Sequence, residues 1–559
     1  MNQHTRESRW SVRKRLNRDL LEHLCLLRGF SADDLQPDYS AHLHDPNLLP
    51  DMVVARRLIR QAVENGSHVT IFGDYDADGT PASALLSMTL TKINVPHDVM
   101  LPTRSTGYGL HCEQVEEIIK RSKLLITVDT GINSLEEIKM AKDAGLGVIV
   151  LDHHLPGPEL PVADAIIDPH RKDSTYPFAQ LCGCALAFKL VCALVEDFHE
   201  ITKGYCKWLL DLVAISTVAD MMPLVGENRA LVHYGLVVLR QNRRVGLQAL
   251  LEEAGVQSDS ITSSTIGFII GPRLNASGRL SDNTPALRLL LTEDKKKAKA
   301  LAKEIEQANV TRQSLVDEVL SEAREQLFKQ NDNGDRIFTL FGRDWPSGVV
   351  GLVAGRLVFE YSRPVIVGSL QNGEIRASAR SIEKYSIVDG LTRCATHLGT
   401  FGGHAQAAGL STNASNWEKL SSALKRDAVN CLDEHDLVKR YVAEAFLEKS
   451  DLTTKVASSL EKLAPFGLGN TKPLLILRDA DVADVRFIGS DARHLKMLLN
   501  SALGNLEVIG FDLADRYKQQ SLKSGNFLGY LENNYFQGAE RLQLRLVDFQ
   551  PREAVIELA

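Results

Sequence analysis

The chain is 559 residues long, 44% hydrophobic and 24% charged, with 71 acidic against 64 basic residues and a formal net charge of −7. This composition excludes a disordered, collagenous or disulfide-scaffold chain, and no apolar run approaches the roughly 20 residues of a membrane span. An acidic chain does not coat itself indiscriminately with nucleic acid, so any nucleic acid must meet positive charge concentrated locally.

The residues up to Leu20 are basic but lack the apolar stretch of a secretory signal, so a cytoplasmic protein with no membrane association is expected. The length predicts three or four domains. None of the eight cysteines forms a C-x-x-C pair, and Cys182-Gly183-Cys184 has no matching second pair. Reduced, mostly buried thiols are therefore expected rather than a zinc site.

His68 to Gly73 reads as a buried strand and Pro81 to Ile93 as a helix. Leu124 to Val128 and Gly147 to Leu151 read as two more strands, with an amphipathic stretch from Ser134 to Ala144 between them. Strands separated by helices of this length predict βαβ units and a mainly parallel sheet. Residues 185–290 read as largely helical. Lys295 to Leu327 keeps apolar residues, from Ala298 through Ile305 and Val316 to Ala323, at three- and four-residue spacing. That predicts one helix of roughly 45–50 Å, connecting two domains. Strand candidates Arg336 to Phe341 and Pro364 to Ser369 open a second α/β segment. From about residue 466 the texture changes to short strands with turn residues at Gly467, Gly469, Gly489, Gly525 and Gly538, which predicts a small barrel.

The strongest chemical signal is Gly73-Asp74-Tyr75-Asp76-Ala77-Asp78-Gly79, directly after an apolar strand. Three carboxylates this close raise one another's pKa unless cations neutralise them, and hard oxygen ligands suit Mg²⁺ or Mn²⁺. A calcium-binding EF-hand loop also begins this way, but it needs Glu at its twelfth position, where this chain has Leu85. Two further strands end alike, in Val128-Asp129-Thr130-Gly131 and in Leu151-Asp152-His153-His154. Ala219-Asp220-Met221-Met222-Pro223 adds a fourth carboxylate. Open α/β sheets bind ligands at the carboxyl ends of their strands, so one shared site is the economical reading.

In order and spacing, DYDADG, VDTG, DHH and ADMMP resemble the DHH phosphoesterase superfamily. The Trp345 to Gly351 stretch and Phe401-Gly-Gly-His404-Ala-Gln resemble its companion domain. Gly271-Pro-Arg-Leu-Asn-Ala-Ser-Gly-Arg279 and Pro465-Phe-Gly-Leu-Gly-Asn470 resemble the RecJ family of single-strand-specific exonucleases. One departure is visible, because Pro346-Ser347 stands where that family usually has His-Pro.

The resemblance implies a multidomain α/β protein. It gives an N-terminal extension (1–45), a parallel-sheet DHH catalytic domain (46–290) and a long connector helix (291–330). A second α/β, DHH-associated substrate-binding domain (331–455) and a C-terminal OB-like β-barrel for single strands (456–559) complete it. It also implies two divalent cations, Mn²⁺ or Mg²⁺, held by Asp74, Asp76, Asp78, Asp129, His153 and Asp220. Asp129 is the candidate to bridge both ions, Asp152 orients His153, and His154 and His404 are catalytic candidates beside Asp129. The phosphate candidates are Arg104, Arg273, Asn275, Arg279, Ser378, Arg380, Gly402, Gly403 and His404.

The activity implied is 5′→3′ hydrolysis of single-stranded DNA to mononucleotides in repair and recombination. The chain is expected to act as a monomer, alongside a helicase and a single-strand-binding protein. In the barrel, aromatic residues such as Phe487, Phe511, Tyr517 and Phe527 are interleaved with basic ones, as stacking platforms in a basic groove would be. The alternatives are a non-catalytic single-strand-binding scaffold, disfavoured because every acidic residue is present, and a small-nucleotide phosphodiesterase or pyrophosphatase of the same superfamily.

Overall fold

In the computed structural model the described residues are 8–102, 109–280, 284–330, 334–489, 491–536 and 539–559. They fall into two compact units. Among them no helix is long and apolar enough to cross a membrane.

One unit comprises Ser31–Thr311 and Leu463–Lys472. Its sheet contains β1 (Val69–Gly73), β2 (His97–Met100), β3 (Leu124–Val128), β4 (Gly147–Leu151) and β5 (Ala165–Ile167). The spatial order is β2-β1-β3-β4-β5 and every pairing is parallel. Apart from the half-buried edge strand β2, the strands are near-continuous apolar runs because both faces are covered. Ile71, Ile126 and Ile149 join the core beneath helices Gly79–Lys92, Gly183–Leu194 and Leu210–Ala219. Their alternate neighbours Phe72, Leu125, Val148 and Val150 join a second core with Val115, Ile118 and Ile138.

The predicted connector is one helix, Lys295–Lys329, of 35 residues. Its first half buries Ala298, Leu301, Ala302 and Ile305 in the core under the parallel sheet. Its second half buries Val316, Val319, Leu320, Ala323 and Leu327 in a separate core with Phe338, Leu340 and Val353.

The other unit comprises the N-terminal residues up to Phe30, Arg312–Lys462 and Pro473–Ala559. Its mixed sheet contains β6 (Phe338–Arg343), β7 (Val365–Gln371), β8 (Glu374–Arg380), β9 (Phe401–His404) and β10 (Ala407–Asn413), in the order β9-β10-β8-β7-β6. The barrel follows, formed by β11 (Leu475–Ile488), β12 (His494–Ser501), β13 (Gly504–Gly510), β14 (Ser524–Phe536) and β15 (Ala539–Pro551). The ring runs β11-β12-β13-β15-β14 and closes where β14 pairs again with β11.

These barrel strands are longer than the sequence reading expected. β11 has 14 residues, and β14 and β15 have 13 each. Register shifts at Leu477/Ala480, Val482/Asp484 and Leu528/Gly529 bend them around the barrel. Gly525 is accordingly inside a strand rather than in a turn, and a Cβ there would lie 2.3 Å from the Gln550 carbonyl. Gly538 lies outside the described residues.

The predicted N-terminal extension does not stand apart. Arg9–Val12 is a strand between Arg440–Ala443 and Ile556–Leu558, parallel to both. Trp10 is buried there, and its Nε1 donates to Asp548 at 2.9 Å. The segment Leu463–Lys472, expected to open the barrel domain, packs with the parallel-sheet unit instead.

Candidate metal centre and phosphate-binding face

Register explains why the acidic residues assemble. Gly73 pairs with Val128, Val128 with Leu151, and Leu151 with Ile167. The next residue on each strand is an aspartate. Asp74, Asp129, Asp152 and Asp168 therefore form one row along the carboxyl edge of the sheet, all of them buried.

Tight turns bring up the remaining members. Asp76 Oδ1 accepts from the amides of Asp78 and Gly79 at 2.8 and 3.0 Å, curling the loop. Asp78 is gripped by the N-terminus of helix Gly183–Leu194, with Gly183 N at 2.6 Å and Cys184 N at 2.8 Å. Asp129 stands in the left-handed region at φ 60°, which aspartate tolerates better than most residues and which turns its side chain away from the strand path. Asp220 caps helix Leu210–Ala219.

His153 Nε2 sits at the focus, 3.1 Å from Asp129, 3.6 Å from Asp220 and 3.8 Å from Asp78. Three sets of ligand atoms converge within 4.8 Å: Asp129, His153 and His154; Asp78, His153 and Asp220; Asp74, Asp76 and Asp129. Asp129 and His153 each belong to two sets.

The charges are at odds with their surroundings. Burial, then the neighbouring Asp76, pushes Asp74 up to about 8. Burial, then Asp78 and Asp76, pushes Asp220 up to about 8. Asp129 is raised well above the usual carboxylate range by burial and then by Asp78. Burial lowers His153, favouring the neutral imidazole that a metal ligand must be. Asp220 Oδ2 is buried with no hydrogen-bond partner among the described residues, an orphaned acceptor beside His153. A buried, mutually repelling oxygen set with a neutral imidazole and an unpaired acceptor fits hard divalent cations.

Asp152 differs from its row neighbours. Burial opposes its charge, but the His154 side chain and several backbone amides hold it below the usual range. It accepts from His154 Nδ1 at 2.7 Å and from the amides of His153, His154 and Ile132 at 2.8, 3.1 and 2.9 Å. Burial likewise opposes the charge on His154, yet Asp152 raises it to about 9. Asp152, expected to orient His153, instead holds the His154 ring and only the backbone amide of His153, and it belongs to none of the three ligand sets.

Several phosphate candidates have other work. Asn275 Oδ1 accepts from the Ala77 amide at 2.7 Å, so its carbonyl fixes the aspartate loop, and Nδ2 is the atom that a phosphate would meet. Arg273 forks onto Glu306 at 2.6 and 3.2 Å, so its charge is already paired. Arg104 and the side chain of Arg279 lie outside the described residues. The Pro465 to Asn470 motif buttresses the loop after Asp220. The Leu224 amide donates to Leu468 O at 2.7 Å, and Ser263 Oγ donates to Phe466 O at 2.6 Å.

The remaining candidates, Gly403 apart, share one face of the second unit's sheet. Arg380 pairs with Ala407, which pairs with His404; Ser378 pairs with Gly409, which pairs with Gly402. Cross-strand partners point to the same side, so His404, Gly402, Ser378 and Arg380 occupy two adjacent rows. A Cβ at Gly402 or Gly409 would meet open space, which leaves room over the face. Gly403 adopts φ 143°, and a Cβ there would lie 2.4 Å from the Ala407 carbonyl, so this position demands glycine. In the barrel, Phe487 and Phe511 are exposed whereas Tyr517, Phe527 and Phe549 are buried. The side chains of Tyr535 and Phe536 lie outside the described residues.

Two features escaped the sequence reading. Asp168 follows a strand of only three residues, and its Oδ2 is buried without a partner among the described residues. Gly183 lies so close to the centre that a Cβ would be 2.7 Å from the Cβ of Asp129. The signal for Asp168 was present in Ala-Ile-Ile-Asp, but no local signal marks Gly183.

Models of three families match: the DHH family, N-terminal domain, over residues 68–217; the DHHA1 domain over 334–430; and the RecJ OB domain over 443–548. The chain is 36% identical over 540 residues to the single-stranded-DNA-specific exonuclease RecJ of Bacillus subtilis, covering 95% of this chain and 67% of that protein. It is 35% identical over 529 residues to the protein of the same name from Haemophilus influenzae, covering 90% and 91%. Among solved structures, RecJ from Thermus thermophilus in complex with Mn²⁺ aligns with TM-score 0.84 and 29% identity, over 98% of this chain and 80% of that one.

Proposed function

The chain belongs to the RecJ family and is a metal-dependent exonuclease of single-stranded DNA, and we propose that it works 5′→3′, releasing mononucleotides in DNA repair and recombination. The observation that carries the chemistry is the register-aligned aspartate row, joined by His153 and Asp220 around three overlapping ligand sets.

We assign Asp74, Asp76, Asp78, Asp129, His153 and Asp220 to hold the two cations, with Asp129 shared between them. When bound, such a pair supplies an activated water and neutralises the charge that develops on attacking and leaving oxygens. The chain's own residues do the rest. Asp152 holds the His154 ring and the backbone amide of His153, and His154, cationic at neutral pH, offers a proton or a hydrogen bond to a phosphate oxygen. Ser378, Arg380, Gly402 and His404 form a donor-bearing face for phosphate. Phe487 and Phe511 provide the exposed aromatic surface on which bases stack.

A nuclease confined to single strands depends on strand separation, which supports a helicase and a single-strand-binding protein as partners of a monomeric enzyme. The test uses 5′- and 3′-labelled single strands and blunt duplex, with Mn²⁺, Mg²⁺ or chelator. Mononucleotide release from the 5′ end of the single strand alone, abolished by chelator, is the expected result. Efficient digestion of blunt duplex without a helicase would overturn the strand selectivity, and release from the 3′ end would overturn the polarity.

A further inference from the structure

Leu463–Lys472 leaves the unit to which its flanking residues belong and packs with the parallel-sheet unit. None of its side chains belongs to a ligand set, yet buried polar groups grip its backbone like a strap. Arg229, on helix Gly226–Gln241, sends Nη1 to Leu463 O and Nη2 to Ala464 O, each at 2.8 Å. Asn470 Nδ2 donates to Leu463 O at 2.7 Å and to Pro465 O at 2.8 Å. The backbones of Gly467 and Asn470 close the turn between them with bonds of 2.9 and 3.2 Å. Arg229 and Asn470 are both buried. Burying a guanidinium is costly unless it is hydrogen-bonded, and here two of its bonds go to this one segment.

The strap bears on the turn that follows Asp220. Besides the Leu224 amide bond to Leu468 O, a Cβ on Gly467 would lie 2.7 Å from Leu224 Cδ1. One on Gly469, which has φ 73°, would lie 3.1 Å from Pro223 Cβ. The turn needs holding. Met221 is exposed and occupies the left-handed region at φ 57°, a conformation that persists for such a residue only where its surroundings impose it. Asp220 depends on that turn more than its fellow carboxylates depend on theirs. Asp78 is gripped by two amides, Asp76 accepts from two and Asp74 from one. Asp220 Oδ2 has no hydrogen-bond partner among the described residues, so the turn decides where this carboxylate points.

We propose that the strap, locked by Arg229 and Asn470, positions Asp220 and thereby sets the affinity of one of the two cations and not of the other. Asp220 enters a single ligand set, with Asp78 and His153, and the remaining two sets do without it. The inference rests on the two-cation reading given above. Arg229 and Asn470 are positioning residues in this scheme, acting on the cation only through the backbone of residues 221–225. Loss of a group that orients a metal ligand typically weakens metal binding roughly 10–100-fold.

The experiment titrates the full chain, stripped of metal by chelator and dialysed, with Mn²⁺, reading the free ion by electron paramagnetic resonance. Wild type should bind two ions per chain. Asn470→Asp sets a carboxylate against the Leu463 and Pro465 carbonyls. It should leave one ion at wild-type affinity and weaken the other roughly tenfold or more. Asp220→Asn should give the same pattern, and the double variant should be no weaker than Asp220→Asn alone, because both changes act on one ligand. On a labelled single strand, the half-saturating Mn²⁺ concentration of Asn470→Asp should rise in step, with kcat at saturating Mn²⁺ within about threefold of wild type. Thr70→Val is the control for stability. It removes a buried hydroxyl that lies 2.7 Å from Ser122 Oγ, away from the carboxyl edge of the same sheet, and should lower the melting temperature without changing the isotherm.

An unchanged isotherm in Asn470→Asp, equal weakening of both ions, or a further loss when Asp220→Asn is added would overturn the strap's role. Gly469→Ala strains the same turn and crowds Pro223 without removing a buried bond, so it is read against the same outcomes if Asn470→Asp does not fold. The two readings fail separately. Two ions in wild type with unchanged isotherms in the strap variants would spare the two-cation reading and overturn the strap. A single ion in wild type would overturn the two-cation reading, and the strap would still stand if Asn470→Asp and Asp220→Asn weakened that ion alike and not additively.

Discussion

Gly183→Ala tests whether the metal centre depends on close packing between a helix terminus and a strand end. The added methyl would lie 2.7 Å from Asp129 Cβ, 3.0 Å from its Cα and 3.1 Å from its Cγ. Carbon atoms pack at about 3.5–4.0 Å, so the two must separate by about 1 Å. Asp129 cannot rotate out of the way, because its backbone already occupies the left-handed region and its amide is tied to Leu151 O at 2.9 Å. If the helix retreats instead, the 2.6 and 2.8 Å bonds from Gly183 N and Cys184 N to Asp78 lengthen. Either way a proposed ligand moves. Overpacking of this kind costs about 1–3 kcal/mol, which lowers the thermal midpoint of that unit by several degrees. The larger effect is kinetic, since a misplacement of about 1 Å in catalytic geometry costs roughly 10² in rate. The assay compares kcat on a labelled single strand at saturating Mn²⁺ with single-strand affinity under chelator. Turnover should fall about a hundredfold while affinity changes less than about twofold. Gly204→Ala is the control, because a Cβ there meets only Thr202 Oγ1 at an ordinary 3.6 Å. If Gly183→Ala keeps more than half the wild-type rate, the helix terminus does not set the position of Asp129.

Asp129→Asn should abolish hydrolysis and leave single-strand binding largely intact, because both ligand sets that include Asp129 lose it together; a residual rate above a tenth of wild type would remove Asp129 from the shared role. The raised carboxylates also set a pH dependence. Asp74 and Asp220 move from 3.8 to about 8 on folding, so between those values the metal-free native state binds more protons than the unfolded state. Its stability is therefore fully present near pH 4 and is lost as pH rises through about 8. Thermal unfolding in chelator should show that decline and added Mn²⁺ should reverse it, with protons released on binding; a chelated protein more stable at pH 8 than at pH 6 would refute the coupling. His404→Ala should lower turnover by roughly 10²–10³, more than it lowers affinity, and a rise in KM alone would make His404 a ground-state contact.

The parts of this site that are legible in the sequence are those in which a strand pattern runs into a polar residue. Asp74, Asp129 and Asp152 each end a five-residue apolar strand, so periodicity and chemistry coincide at one place in the chain. Asp168 obeys the same rule, but its strand has three residues, too few for a pattern, and the following proline makes Asp-Pro read as a turn. No local pattern shows that the Asn275 carbonyl also serves the Ala77 amide 198 residues away. Gly183 shows its purpose only when Asp129 is beside it. The barrel strands read as short because glycines within them mark bends, which look like turns until the register shifts are seen.

The four aspartates of the row show how neighbours at one level of a sheet acquire different tasks. Residue type and strand position are the same in all four, so the difference lies in the donors each receives. Asp152 accepts three backbone amides and an imidazole, and its charge is stable without help. Asp74 accepts one local amide, that of Tyr75 at 2.8 Å, and faces Asp76. Asp129 has His153 at 3.1 Å, an imidazole that burial itself keeps neutral. These two lack compensation from the protein, and they are the two that join ligand sets. Asp168, raised by burial to about 7, is equally short of donors, with one amide from His170 at 2.7 Å, but it stands one strand beyond the ligand sets. Its position next to Asp152 suits a protonated carboxyl that does not add a second negative charge beside the residue on which His153 and His154 depend. Asp168→Asn should accordingly be tolerated, since the amide reproduces a neutral carboxyl. Asp152→Asn should not be, because it removes the charge that keeps His154 protonated and replaces one of two acceptor oxygens, both of them in use, with an NH2 donor. Equal losses of turnover in the two variants would show that the row is graded by something other than its donors.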